Sequence, residues 1–197
     1  MPHGANVPGL GDIQEKGEAM PRLFVAIDLP ENVKREIENL REELPGARWV
    51  AGDQLHLTLR FIGEVEARQQ GGIAAALRNV HERPFSLTLR QVGHFGRPGR
   101  ILRIGMDRPT SLLALQLKVE AALTLAGTPS EERPFSPHIT LARLKGTPSS
   151  LLAAYEGKHR GFAATTFSVT EFHLYSSTLI TTGAIHRREE SYQLTSS

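Results

Sequence analysis

Residues 55–63 read LHLTLRFIG, and residues 137–144 read PHITLARL. Each is a short apolar run rich in strand-forming residues, and each reads as a β-strand. Side chains alternate between the two faces of a strand. His56 and Thr58 therefore share one face, with Leu57 and Leu59 on the other. His138 and Thr140 likewise share a face, opposite Ile139 and Leu141. Each copy sets an imidazole and a hydroxyl about 7 Å apart on a polar face backed by an apolar one. The copies run from position 56 to position 138, a separation of 82, and each follows a segment holding a strand and a helix. That spacing predicts two similar lobes about a pseudo-twofold axis, their polar faces opposed across a cleft.

The flanking sequence supplies the rest of such a fold. RLFVAIDL (22–29), bounded by Pro21 and Pro30, reads as a buried strand, and Val33, Ile37 and Leu40 mark an amphipathic helix that stops before Pro45-Gly46. A short strand is expected at 48–50 and a helix at 66–80. The alternation in 85–95 and 100–106 about the turn GRPG predicts one hairpin. Leu112, Leu115, Val119 and Leu123 predict a helix over 110–126 with Gly127 at its end. A short helix over 149–155 and strands at 167–179 and 184–194 complete the chain. Adjacent strands joined by short turns favour α+β with antiparallel or mixed sheets and outer helices, not a doubly wound parallel fold. Residues 1–20, rich in Gly and Pro and without apolar periodicity, are expected to be a disordered tail, with Met20 a candidate start; residues 21–195 are expected to form the single two-lobed domain. The first twenty residues show no basic-then-apolar secretory pattern.

Composition narrows the chemistry. The 197 residues include no cysteine, which excludes disulfides, thiolate metal sites and a cysteine nucleophile. No apolar stretch is long enough to span a membrane, and a cytoplasmic location is expected. The net charge of +2 permits a phosphate-bearing or nucleic-acid substrate without demanding one. There is no Gly-rich phosphate loop, Walker pattern or dinucleotide fingerprint.

Two opposed imidazoles suit phosphodiester cleavage. Near neutrality one imidazole can accept a proton while the other donates one, so one activates the attacking oxygen and the other protonates the leaving oxygen. Thr58 and Thr140 can donate hydrogen bonds to the non-bridging oxygens. A metal site is the competing reading, but it wants three or four ligands, and neither strand offers a second good one beside its histidine. Arg60 falls on the His56 face by alternation and can reach a phosphate. The other histidines, His186 among them, show no partner at useful spacing, and His173 reads as a half-exposed strand residue.

HLTLRFIG and SPHITLAR resemble the paired motifs of the 2H phosphoesterase superfamily. RLFVAIDLPE (22–31), RPFSPHITLARLK (133–145) and VTEFHLYSSTL (169–179) resemble its RNA 2′,3′-cyclic phosphodiesterase branch, also called 2′-5′ RNA ligases. The resemblance implies hydrolysis of a 2′,3′-cyclic phosphate to a 2′-phosphomonoester without metal or cofactor, on RNA ends or cyclic nucleotides. It also implies a monomer without an obligatory protein partner or a membrane. It makes His56 the general acid and His138 the general base. It places Arg143 on the phosphate, which requires a bulge, strand end or twist to turn that side chain to the His138 face, and it puts Phe24 where a base can stack. Arg103 stands where the family is expected to carry an aromatic residue, usually Trp. ATP-independent 2′-5′ ligation of tRNA halves, and a non-catalytic module that binds RNA ends, are the alternatives.

Overall fold

The structure is a computed structural model that describes residues 20–96, 99–180 and 183–195. The expected tail therefore lies outside the described residues except for Met20.

The run LFVAI inside β1 (Arg22–Asp28) is buried on both faces, and the strand is paired along both of its edges. Pro30 then starts α1 (Glu31–Glu38), which buries Val33 and Ile37. The short β2 (Ala47–Trp49) and a single 3₁₀ turn at Gly52–Gln54 lead into β3 (His56–Glu64). α2 (Ala67–Leu77) opens with a capping box in which Glu66 and Gln69 bond each other's backbone. β4 (Phe85–Leu87), β5 (Leu89–Phe95), β6 (Ile101–Met106) and α3 (Thr110–Leu125) follow. The second half closes with β7 (Ile139–Leu144), α4 (Ser149–Lys158), β8 (Phe167–Val169), β9 (Glu171–Ile180) and β10 (Gly183–Gln193). The four leucine and valine positions expected to face the core from α3 do so. Gly127 takes a φ of 87° just past that helix, a left-handed conformation that glycine adopts without steric cost.

Eight strands form one sheet in the order β10-β9-β1-β3-β7-β6-β5, with β2 also paired to β7, and every pairing among the described residues is antiparallel. The sheet divides into two four-stranded halves, β10-β9-β1-β3 and β2-β7-β6-β5, which meet at β3 and β7. There the ladder records a single pair, Leu57 with Ile139. Both residues are fully buried, so the seam between the halves is closed by core side chains while the opposite face stays open. This is the expected α+β architecture with one His-x-Thr strand in each half.

The hairpin expected over 85–95 and 100–106 is interrupted. Residues 85–87 leave it at Thr88 and pair with β8 in a separate two-stranded sheet, and only 89–95 pair with β6. Thr88 and Thr166 share a hydrogen bond of 2.8 Å at the departure. Gln91, at a φ of 63°, occupies a bulge. A bulge leaves little trace in an alternating sequence, because the pattern resumes on the other face beyond it.

Candidate active site

At the seam, Leu57 faces Ile139 on an antiparallel ladder. One residue to either side, the antiparallel sense sets His56 toward Thr140 and Thr58 toward His138, all four on the face opposite the buried pair. The burial pattern agrees: His56, Thr58, His138 and Thr140 are partly exposed between buried neighbours. The structure thus brings together the four residues that the repeated tetrapeptide singled out.

The imidazoles are held identically. His56 Nδ1 lies 2.8 Å from the Gln54 carbonyl, and His138 Nδ1 lies 2.8 Å from the Ser136 carbonyl. A carbonyl only accepts, so Nδ1 carries the hydrogen in both rings and Nε2 is left with its lone pair directed away from the backbone. Each strand therefore orients its catalytic candidate through its own chain two residues back.

The surroundings differ. His56 is enclosed by aromatic rings, with Phe24 at 5.0 Å and His186 at 5.4 Å between centroids. Burial pushes its imidazole down from 6.5 to about 4; the Gln54 carbonyl and Asp28 oppose that fall, and the charges of His186 and His138 add to it. His138 instead packs T-shaped against Phe95, with the ring centroids 4.9 Å apart. The depressed His56 has a measurable consequence. Between its ordinary pKa and about 4, the unfolded chain takes up a proton that the folded chain refuses. Stability is therefore fully present above that window and falls as pH drops through it. Urea unfolding compared at about pH 4.5 and about pH 7 should show a smaller gap for His56→Gln than for the unsubstituted protein. The gap should narrow but not close, because His173 and His186 are held down by burial as well.

The paired strands also share an irregularity. In β3 the register with β1 passes from Thr58 to Arg60 and skips Leu59; in β7 the register with β6 passes from Thr140 to Ala142 and skips Leu141. Each bulge puts two consecutive residues into the core, Leu59 with Arg60 and Leu141 with Ala142, and all four are buried. The next residue then returns to the open face, Arg143 in one strand and Phe61 in the other, both exposed.

Two expectations are thereby corrected. Arg60 does not stay on the His56 face: the bulge turns it into the interior, where it is 8% exposed. Its Nε donates to Glu120 at 2.6 Å, Nη1 lies 3.8 Å from Glu131, and the guanidinium also bonds the Phe61 and Pro129 carbonyls. Phe24 is not open to a base either. At 3% exposure it packs beneath His56, stacked on Tyr175 at 5.2 Å and edge-on to His186 at 4.9 Å. Arg143, in contrast, gains from its bulge the inward turn that its expected role required.

Three further residues border the site. Phe61 lies five positions after His56 as Arg143 lies five after His138, a signal present in the sequence and passed over. It is 57% exposed, unusual for an aromatic side chain. His186 reaches His56 only through the pairing of β10 with β9, which no local spacing announces; its Nδ1 is buried without a hydrogen-bond partner among the described residues. Asp28, in register with His56, accepts from Tyr175 at 2.6 Å and from Arg188, and lies 3.8 Å from His173. His173 is buried, not half-exposed, with Nδ1 bonded to Ser191 at 2.9 Å. Among the described residues, no three His, Asp or Glu side chains gather where they would hold a metal ion, and no helix is long and apolar enough to cross a membrane.

Comparison with known proteins places the chain in a family. The model of the 2′-5′ RNA ligase superfamily matches residues 29–179. The RNA 2′,3′-cyclic phosphodiesterase of Thermotoga maritima is 36% identical over 174 residues, covering 84% of this chain and 91% of that protein. The Escherichia coli protein of the same name is 35% identical over 160 residues, covering 79% and 86%. The crystal structure of E. coli LigT in apo form superposes with a TM-score of 0.75 at 30% identity, over 90% of this chain and 99% of that one; the structure of LigT complexed with 3′-AMP gives 0.75 at 29% over the same shares. The chain is an enzyme of the 2′-5′ RNA ligase superfamily, one of the 2H phosphoesterases.

Proposed function

We propose that the protein hydrolyses the 2′,3′-cyclic phosphate of RNA ends or nucleotides to a 2′-phosphomonoester by paired-histidine acid–base catalysis, without metal or cofactor, acting as a cytoplasmic monomer. The observation that carries the reading is the pair of imidazoles, one per half, each fixed through Nδ1 and each presenting Nε2. The relatives named RNA 2′,3′-cyclic phosphodiesterase support it.

In the proposed step a water oxygen attacks phosphorus and gives its proton to His138 Nε2. The P–O3′ bond breaks, and O3′ takes the proton held on His56 Nε2. Thr58 and Thr140 donate to the non-bridging oxygens as charge builds, Arg143 offers a paired-donor fork to the same phosphate, and Phe61 presents a ring on which the terminal base stacks. Burial, which lowers its pKa to about 4, leaves the His56 imidazole neutral at pH 7. The phosphodiester anion supplies the counter-charge that loads it, and once loaded it is a stronger acid than an exposed imidazole.

Replacing the bridging 3′-oxygen by sulfur tests the roles, because a thiolate leaves without a proton. The sulfur substrate is expected to restore turnover in His56→Ala and not in His138→Ala; restoration of His138→Ala alone would exchange the two. Incubation with adenosine 2′,3′-cyclic phosphate in excess chelator is expected to yield the 2′-monophosphate. Activity lost on chelation and regained with added metal would overturn the reading.

A further inference from the structure

The open face of the second half carries three arginines, Arg48, Arg103 and Arg143, that no carboxylate among the described residues neutralises. Arg143 pairs across the ladder with Arg48 on β2 and with Ile101 on β6, and Arg103 pairs with Thr140. Cross-strand partners share a face at about 5 Å between Cβ atoms, and like charges set directly opposite destabilise a sheet. Arg48 and Arg143 are such a pair. Among the described residues, none of the three arginines takes part in an ion pair.

Arg103 is the most informative of them. Its partner on β5 is Gly93, and Gly105 lies two residues further along its own strand on the same face. A Cβ on Gly93 would stand 3.7 Å from Arg103 Nη2, and one on Gly105 would stand 3.0 Å from Nη1. The two glycines open a trough, and the guanidinium lies in it, 4.5 Å over the Phe95 ring that also packs T-shaped against His138. Its Nε is buried with no hydrogen-bond partner among the described residues. The terminal nitrogens of this permanent cation, set beside the reaction site, are neither buried nor bonded among the described residues, and an anion on the open face would meet them.

We infer that Arg103 and Arg48 form a track for the RNA strand leading to the cyclic end, each taking a backbone phosphodiester of a neighbouring nucleotide, while Arg143 between them attends the reacting phosphate. The inference rests on the function proposed above and goes past it in assigning specificity: a free cyclic nucleotide brings one phosphate and fills only the catalytic end, whereas an RNA end brings further charges to the arginines. Guanidinium forks suit such contacts because they meet phosphate oxygens two at a time.

The test compares kcat/KM for a short oligoribonucleotide ending in a 2′,3′-cyclic phosphate with that for adenosine 2′,3′-cyclic phosphate, across a series of salt concentrations. In Arg103→Gln and in Arg48→Gln the oligonucleotide-to-mononucleotide ratio is expected to fall about tenfold. The slope of log kcat/KM against log salt for the oligonucleotide should become shallower by about 0.7 for each lost contact. Arg103→Lys keeps the charge and should restore the slope, which a merely misfolded Arg103→Gln would not explain. An unchanged ratio and slope, or a parallel loss on both substrates, would overturn the track. Wild-type protein that turns over the mononucleotide but gains nothing from the oligonucleotide at low salt removes the track alone; wild-type protein that turns over neither removes the proposed function with it.

Discussion

Replacing His56 by Ala, or His138 by Ala, is expected to lower kcat on a 2′,3′-cyclic nucleotide by about 10²–10⁴-fold each, the span that a positioned proton donor or acceptor contributes. Each ring sits on the open face and touches the fold through one hydrogen bond to its own chain and a few aromatic contacts. Thermal melting and circular dichroism should therefore show a folded protein in both variants. Thr58→Ala and Thr140→Ala remove one donor to the phosphate oxygens apiece and are expected to cost about 10²-fold or less in kcat, with the fold likewise retained. Either histidine variant retaining near-full turnover would end the paired-histidine reading.

The second large effect falls on stability. Arg60→Ala should lower the free energy of unfolding by about 3–5 kcal/mol, because it leaves Glu120 and two carbonyls without the cation they surround. Urea unfolding measures it, with Arg68→Ala as the control: that residue pairs with Glu66 on the exposed surface and should cost less than about 1 kcal/mol. A phosphate ligand would behave the opposite way, raising KM with little loss of stability. The network also ties β3 to the segment that leads into β7, since Glu120 bonds the Glu131 amide at 2.9 Å while Arg60 holds the Pro129 carbonyl.

Arg60 and Arg143 show where a sequence stops being legible. The two His-x-Thr strands, the helix seam of Leu112, Leu115, Val119 and Leu123, and the antiparallel layout could all be read from periodicity, because burial imposes a period of two or near four on whichever side chains face the core. A one-residue bulge breaks that inference from its own position onward. Alternation placed Arg60 beside His56 and Arg143 away from His138, and a skipped leucine in each strand reverses both. The family resemblance supplied Arg143 where spacing alone would have discarded it. His186 lay beyond either route, since it arrives beside His56 by the pairing of β10 with β9, forty-eight residues after His138.

The shared tethering of the two imidazoles has a consequence for the catalytic cycle. With Nδ1 committed to a carbonyl, each ring has a single working atom and returns to one tautomer after every transfer. Under the roles proposed, a completed turnover leaves the proton on the ring in the second half and the ring in the first half bare. The enzyme therefore finishes each cycle in a form unable to begin the next, and it must be recharged by proton exchange with solvent or with the departing phosphomonoester before another substrate can react.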